Sequence, residues 1–380
     1  MKSTSPLFER AARSLAETLP RQYRPGERLP PEPKLCRQLN LSITTLREAL
    51  AVLHMQGIIE KRRGSGNYYI GVSGHRHIAL LLPWPRMPLK VSPNLQESTR
   101  HLTRGLHKMQ RSFRIYLGHD VGGERGVLFT FPELEEAVRK GEVAMVLNPA
   151  GRASDETLQL LKEAAVPICG YAPFSTTRVM HDIPGGIRHA IEWLASQGRV
   201  HIAYMDSLSA WEANTSTQKE RFSAYCAGLH AIGQPVRPEW VQQDFHPLWS
   251  GAGWSNFSEL WSALPEKPQA LILSDETFLP DVLSALRDLK IETPRQLQII
   301  SQCTRGYGAL SGLPLGYIEN DSAAYARCML AQVETFDRTG TIPATVEKVA
   351  TLLETSRLEE APATLPAPEK HRIMPPAVVA

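Results

Sequence analysis

The chain has 380 residues, with 42 Lys and Arg against 39 Asp and Glu and a formal net charge of +3. It holds no run of 18 apolar residues, and its start, MKSTSPLFERAARSLAE, lacks an apolar stretch of signal-peptide length, so neither a membrane span nor export is expected and a cytoplasmic location is. Cys36, Cys169, Cys226, Cys303 and Cys328 are scattered, odd in number and without CxxC or Cys/His spacing, which excludes a disulfide framework and leaves no metal site or cofactor to expect.

Taken in chain order, Leu7, Ala11, Leu15 and Leu19 recur every four residues and predict a first helix from Pro6 to Leu19, with Pro20 as its stop. Leu35, Leu39 and Leu41 form the apolar face of a second helix. Ser42 is placed to cap a third, whose Leu46, Ala49, Leu50 and Leu53 face inward. Gly57 is expected to end that helix in the left-handed conformation. Ile58 and Ile59 then open a strand, and Lys61, Arg62 and Arg63 lead to a hairpin tip at Gly64, Ser65 and Gly66.

Two short helices followed by a basic hairpin point to nucleic acid. Thr44, Thr45 and Arg47, with the cap Ser42, lie near the N-terminus of the third helix, where such motifs touch base edges. Arg62, Arg63, Gly64 and Ser65 would reach the backbone or minor groove, and Lys34 and Arg37 would contact phosphates from the second helix. Charge is distributed to match: residues 1–76 hold 13 Lys and Arg against 6 Asp and Glu, so the remaining 304 residues are net acidic.

The blocks PGERLPPE (25–32), LREAL (46–50) and LHMQGIIEKRRGSG (53–66), with Tyr69, resemble the winged helix-turn-helix of the GntR family of bacterial transcription regulators. Many members of that family carry arginine at the positions of Pro33 and Ile43, and both often contact DNA. The resemblance therefore implies a double-stranded DNA partner but not the family's operator sequences.

From His77 onward short apolar runs alternate with amphipathic stretches. Residues 77–83, 113–118, 143–149, 166–173, 201–207, 270–276 and 297–303 read as strands, and 94–110, 131–140, 154–164, 185–197, 217–232 and 277–290 as helices. This alternation predicts an α/β body of two doubly wound parallel sheets with a ligand cleft at the strand C-terminal ends. Trp84 and Trp211 are placed to stack on the ring of a bound ligand or to sit in the core. Asp275 either faces the cleft or caps the helix that follows, and Asp182 is expected to cap the helix beginning near 185.

GGIRHAIEWLASQGRVHIAYMDS (185–207), QKERFSAYCAGLHAIG (218–233) and LILSDETFLPDVLSALRDLKIETPRQLQIISQC (271–303) resemble the sensor domain of LacI-type regulators, which has the periplasmic-binding-protein type I fold. The resemblance implies a small-molecule effector, possible sugar contacts at Arg221, Asp275 and Gln302, and a homodimer. Arg221 has the alternative of pairing with Glu220 or a neighbour, and Gln302 stands where sugar-binding relatives often have an aspartate nearby. Joined, the two resemblances describe a winged helix-turn-helix (1–70), a Gly/Ser linker (71–76), a two-subdomain sensor (77–357) and a disordered Pro/Ala-rich tail (358–380), as in arabinose-responsive repressors. The alternative is a DNA-binding domain fused to a catalytic α/β domain. No nucleophile elbow, P-loop, GxGxxG or HExxH motif supports it.

Overall fold

The computed structural model describes residues 7–24, 26–55, 58–62, 64–69, 76–84, 92–120, 129–151, 153–206, 216–243, 251–263 and 265–359. Gly57, Arg63, Trp211, residues 71–75 of the expected linker and the tail from 360 lie outside them.

The chain begins with α1 (Leu7–Gln22), α2 (Glu32–Leu39) and α3 (Ile43–Met55), then β1 (Ile59–Arg62) and β2 (Gly66–Tyr69). Leu15, Leu19, Leu35, Leu46, Leu53 and Tyr69 share one small core, which is why the four-residue spacing survives as helix. Pro20 does not stop α1 as expected. Leu19 is held in that core, and the Tyr23 amide still closes on the Leu19 carbonyl at 2.9 Å, so packing outweighs the hydrogen bond proline removes. Asn40, at φ 51°, makes the tight turn after α2, a conformation its short polar side chain tolerates. The Ser42 hydroxyl accepts from the Thr45 amide at 3.1 Å and starts α3 as the cap motif requires.

The body continues with β3 (His77–Trp84), α4 (Pro93–Lys108), β4 (Phe113–Asp120), β5 (Phe129–Thr130), α5 (Pro132–Arg139), β6 (Val143–Asn148), α6 (Asp155–Glu163), β7 (Ile168–Gly170) and β8 (Thr177–His181). There follow α7 (Ile183–Ser196), β9 (Ile202–Met205), α8 (Ser216–Ala231), β10 (Val241–Gln242), α9 (Ala252–Ala263), β11 (Ala270–Leu273), α10 (Leu279–Asp288), β12 (Gln298–Thr304) and β13 (Gly316–Asn320). The chain closes with α11 (Ser322–Thr339), β14 (Val346–Val349), β15 (Leu352–Glu354) and α12 (Ser356–Glu359). Residues 358 and 359 are thus helix rather than tail: Leu358 is buried in a core cluster with Ile300 and Ile318, which holds this last turn in place.

Two compact units emerge, one of Met1–Met87, Glu97–Met180 and Ala323–Glu347, the other of Pro88–Gln96, His181–Ser322 and Lys348–Ala380. The first contains a sheet of order β14-β8-β7-β6-β3-β4-β5, parallel from β8 to β4 with β5 antiparallel at the edge. The second contains β10-β9-β11-β12-β13-β15, parallel except for β15. In the second sheet Ile202, Tyr204, Ala270 and Ile272 pack into one cluster, with residues of α7 and α8. Their neighbours Ala203, Met205, Leu271 and Leu273 pack into another, with residues of α9 and α10. Both faces being covered, these strands read as continuous apolar runs, the pattern of a doubly wound parallel sheet.

β7 pairs with β6 through Gly170 opposite Asn148, and a Cβ on Gly170 would meet the Asn148 carbonyl oxygen at 2.3 Å. Gly170→Ala must therefore push the strands apart, and a loss of about 2 kcal/mol is expected as a lowered urea midpoint.

Candidate nucleic-acid interface and candidate effector site

The face of α3 opposite the core presents Ile43, Thr44, Arg47, Glu48 and Ala51 to solvent. Ser42 and Thr45 are tied together, Oγ to Oγ1 at 2.8 Å, so the cap also fixes the Thr45 side chain. The Arg47 guanidinium reaches back to Glu32 at the start of α2, Nε to Oε2 at 2.8 Å. Arg47 remains 67 % exposed, so the pair directs the guanidinium without burying it. Lys34 and Arg37 are exposed on α2, and Arg37 Nε donates to the Pro33 carbonyl at 3.3 Å.

The wing is an antiparallel ladder from Ile59 opposite Tyr69 to Arg62 opposite Gly66. Its tip uses left-handed backbone at Gly64, φ 74°, and Gly66, φ 109°. A further segment pairs along β2: Gly26 and Leu29 amides donate to Tyr69 and Asn67 carbonyls, and the Tyr69 amide donates to Glu27. Arg62 lies over the Tyr68 ring at 4.2 Å and bonds Glu60 at 2.9 Å, while Ser65 Oγ bonds the Tyr68 hydroxyl at 2.6 Å. α3 and the wing thus each carry an oriented, exposed guanidinium.

The second candidate site lies in the second unit, at the C-terminal ends of its parallel strands. Asp206 follows β9, Ser274, Asp275 and Glu276 follow β11, and Thr304 ends β12. This is the edge where open α/β sheets hold ligands. Asp206 is fully buried; it accepts from the Tyr204 hydroxyl at 2.8 Å and faces Arg221 Nη1 at 3.5 Å. Arg221, on α8, also donates to the Ser274 carbonyl at 3.2 Å, so it is tied to the strand ends by both Asp206 and Ser274. Asp275 Oδ1 accepts from the Thr277 amide at 2.9 Å and hydroxyl at 2.7 Å, the cap alternative weighed for it. Asp182 likewise caps α7 through the Gly185 amide.

Glu276 was not singled out by sequence, because an acidic pair at a helix start ordinarily faces water. Here it is buried and accepts from Ser92 Oγ at 2.6 Å, the Asn94 amide at 3.2 Å, and the Thr304 amide and hydroxyl at 2.6 and 2.8 Å. Burial pushes its carboxyl above the usual range, with those donors pulling the other way. His181 is also buried and is pushed down to about 4, by burial first and by Arg221, with Asp321 opposing. Gln302 is part-buried on β12, and its Oε1 finds no hydrogen-bond partner among the described residues. Trp84 ends β3 in the first unit, opposite His119 in the strand register. Of the four residues expected at an effector that are described, Arg221, Asp275 and Gln302 lie in the second unit and Trp84 in the first. Among the described residues no His/Cys/Asp/Glu group could hold a metal, and no helix is long and apolar enough to cross a membrane.

Residues 7–68 match the family described as bacterial regulatory proteins, gntR family, and residues 173–353 match the periplasmic binding protein-like domain. The chain therefore joins a domain similar to gntR-family regulatory proteins to a periplasmic-binding-protein-like domain. Much of the chain shares its fold with solved LacI-family regulators. A LacI-family regulatory protein from Chloroflexus aggregans superposes with a TM-score of 0.60 at 15 % identity, covering 73 % of this chain and 98 % of that one. The transcriptional regulator CelR in complex with cellobiose superposes with a TM-score of 0.60 at 18 % identity over 92 % of this chain and 100 % of that one. In sequence, the Uxu operon transcriptional regulator of Escherichia coli (strain K12) is 46 % identical over 55 residues, 14 % of this chain and 21 % of the relative. The HTH-type transcriptional regulator SmoD of Agrobacterium fabrum is 44 % identical over 48 residues, 13 % of this chain and 20 % of the relative. The chain spans about a fifth to a third of the length of the curated relatives it matches.

Proposed function

We propose that the protein is a DNA-binding transcription regulator, acting as a repressor, whose operator affinity is set by a small polar molecule of the sugar class. The observation that carries this reading is the joining, in one chain, of an oriented basic reader (Arg47 and Arg62) to a sheet edge lined by Asp206, Arg221, Asp275 and Gln302. A guanidinium backed by a buried carboxylate suits a ligand with many hydroxyls, and the CelR structure, with cellobiose bound, shares the fold. The protein works in the cytoplasm as a homodimer that holds two winged helices at a fixed spacing on a two-fold operator, half-sites about 10 bp or a multiple apart. Effector binding favours one spacing over another and changes operator affinity by its preference between the two states.

The test is fluorescence anisotropy of the full chain on its own promoter at fixed salt, with sugars first ranked by thermal shift. A sugar that stabilises the protein yet leaves promoter affinity unchanged would sink the effector reading. Arg62→Ala is expected to weaken binding to all duplexes and to lower the salt slope by about one per protomer. Thr44→Ala is expected to change which duplexes are preferred, with the salt slope kept.

A further inference from the structure

The face of α3 expected to meet DNA carries one large apolar residue. Ile43, the first residue of the helix, is 40 % exposed, on the face it shares with Thr44, Arg47, Glu48 and Ala51. The inward face, Leu46, Ala49, Leu50 and Leu53, is complete without it. Of the polar groups around Ile43, the Ser42 hydroxyl holds the Thr45 amide and hydroxyl, Arg47 holds Glu32, and Thr44 stands exposed beside it. Ile43 is the one large aliphatic side chain exposed at this end of the helix. In the major groove the matching surface is the C5-methyl group that thymine carries and the other bases lack.

We propose that Ile43 is a specificity-determining residue that packs on a thymine methyl at one position in each operator half-site. This rests on the DNA-reading function proposed above. In the free protein part of the side chain is left in water, and on the duplex it gains the burial of a methyl group against it. Beside Thr44 and Arg47, the latter aimed by Glu32, Ile43 discriminates thymine from cytosine, whose edge differs by the missing methyl and a donor in place of an acceptor.

The experiment begins with selection of duplexes from a random library by the full-length protein. The consensus duplex is then synthesised with deoxyuridine replacing each thymidine in turn, which removes one methyl and nothing else. At one position per half-site the wild-type protein is expected to lose about four-fold in affinity, the factor that about 0.8 kcal/mol for one buried methyl gives. Ile43→Ala should bind the thymidine and deoxyuridine duplexes equally, and Ile43→Val should retain most of the difference. A repeat selection with Ile43→Arg should exchange thymine for guanine at that position. Indifference of the wild type to every methyl, or a methyl effect that persists undiminished in Ile43→Ala, would overturn the proposal. Failure to enrich any sequence would instead remove the DNA-reading function on which it rests. Because Ile43 lies outside the core, the variants should unfold at the wild-type temperature, and that measurement separates lost recognition from lost fold.

Discussion

Arg221→Ala is expected to destabilise the second unit by about 3 kcal/mol, a larger loss than any exposed substitution should cause. Asp206 has no accessible side-chain surface, and Arg221 is itself only 14 % exposed, so their charges face each other largely out of water. Removing the guanidinium leaves the carboxylate its bond from Tyr204 but takes away its countercharge, and burial makes that charge costly. Urea unfolding should show a lowered midpoint with an unchanged slope. The double variant Arg221→Ala/Asp206→Asn should recover a large part of the loss, because no buried charge is then left unbalanced. If Arg221→Ala instead unfolds with the wild type and differs only in its response to sugars, the guanidinium serves the ligand rather than Asp206.

The second large effect is a pH dependence carried by His181. Its pKa, pushed down to about 4 by burial, lies below the ordinary 6.5 that applies in the unfolded chain. The folded state binds that proton less readily, so the stability His181 contributes is complete above pH 6.5 and is lost as the pH falls towards 4. The loss over that window is about 3 kcal/mol at 1.36 kcal/mol per unit of pKa. Glu276 acts with the opposite sign. Its raised pKa makes its contribution full at low pH and lost as the pH rises through the folded value. The comparison to make is therefore between wild type and His181→Gln, by thermal unfolding from pH 7.5 to 4.5. The variant curve should be the flatter of the two on the acid side, and parallel curves would refute the assignment.

Much of the fold was legible because long apolar runs have few alternatives. Strands such as Ala270–Leu273, covered on both faces, cannot be surface, and the caps Ser42 and Asp182 marked where α3 and α7 begin. Other elements were hidden by dilution. In α11 the buried Tyr325, Met329 and Val333 keep a four-residue spacing, but Ala, Arg, Cys and Gln between them weaken the stripe. β13, GYIEN, includes an Asn that is wholly buried, which composition alone reads as a loop. The sites were less legible than the fold. Arg221 could be named, but its pairing with Asp206 joins an α8 residue to the end of β9, and no local pattern encodes it. Arg47 was expected to face DNA, whereas Glu32, which aims it, lies 15 residues earlier on another helix.

The strand-like segment that runs beside β2 changes what the wing is. A two-stranded hairpin alone is marginally stable in water. Hydrogen bonds from the 26–29 segment, with Leu29 and Tyr69 in the shared core, make this one the edge of a three-stranded ribbon anchored to the helices. The hairpin is consequently preorganised: meeting DNA, it need not surrender backbone entropy to take shape. Its encounter rate should then track ionic strength and charge, as for a rigid body, with no slow ordering phase behind it.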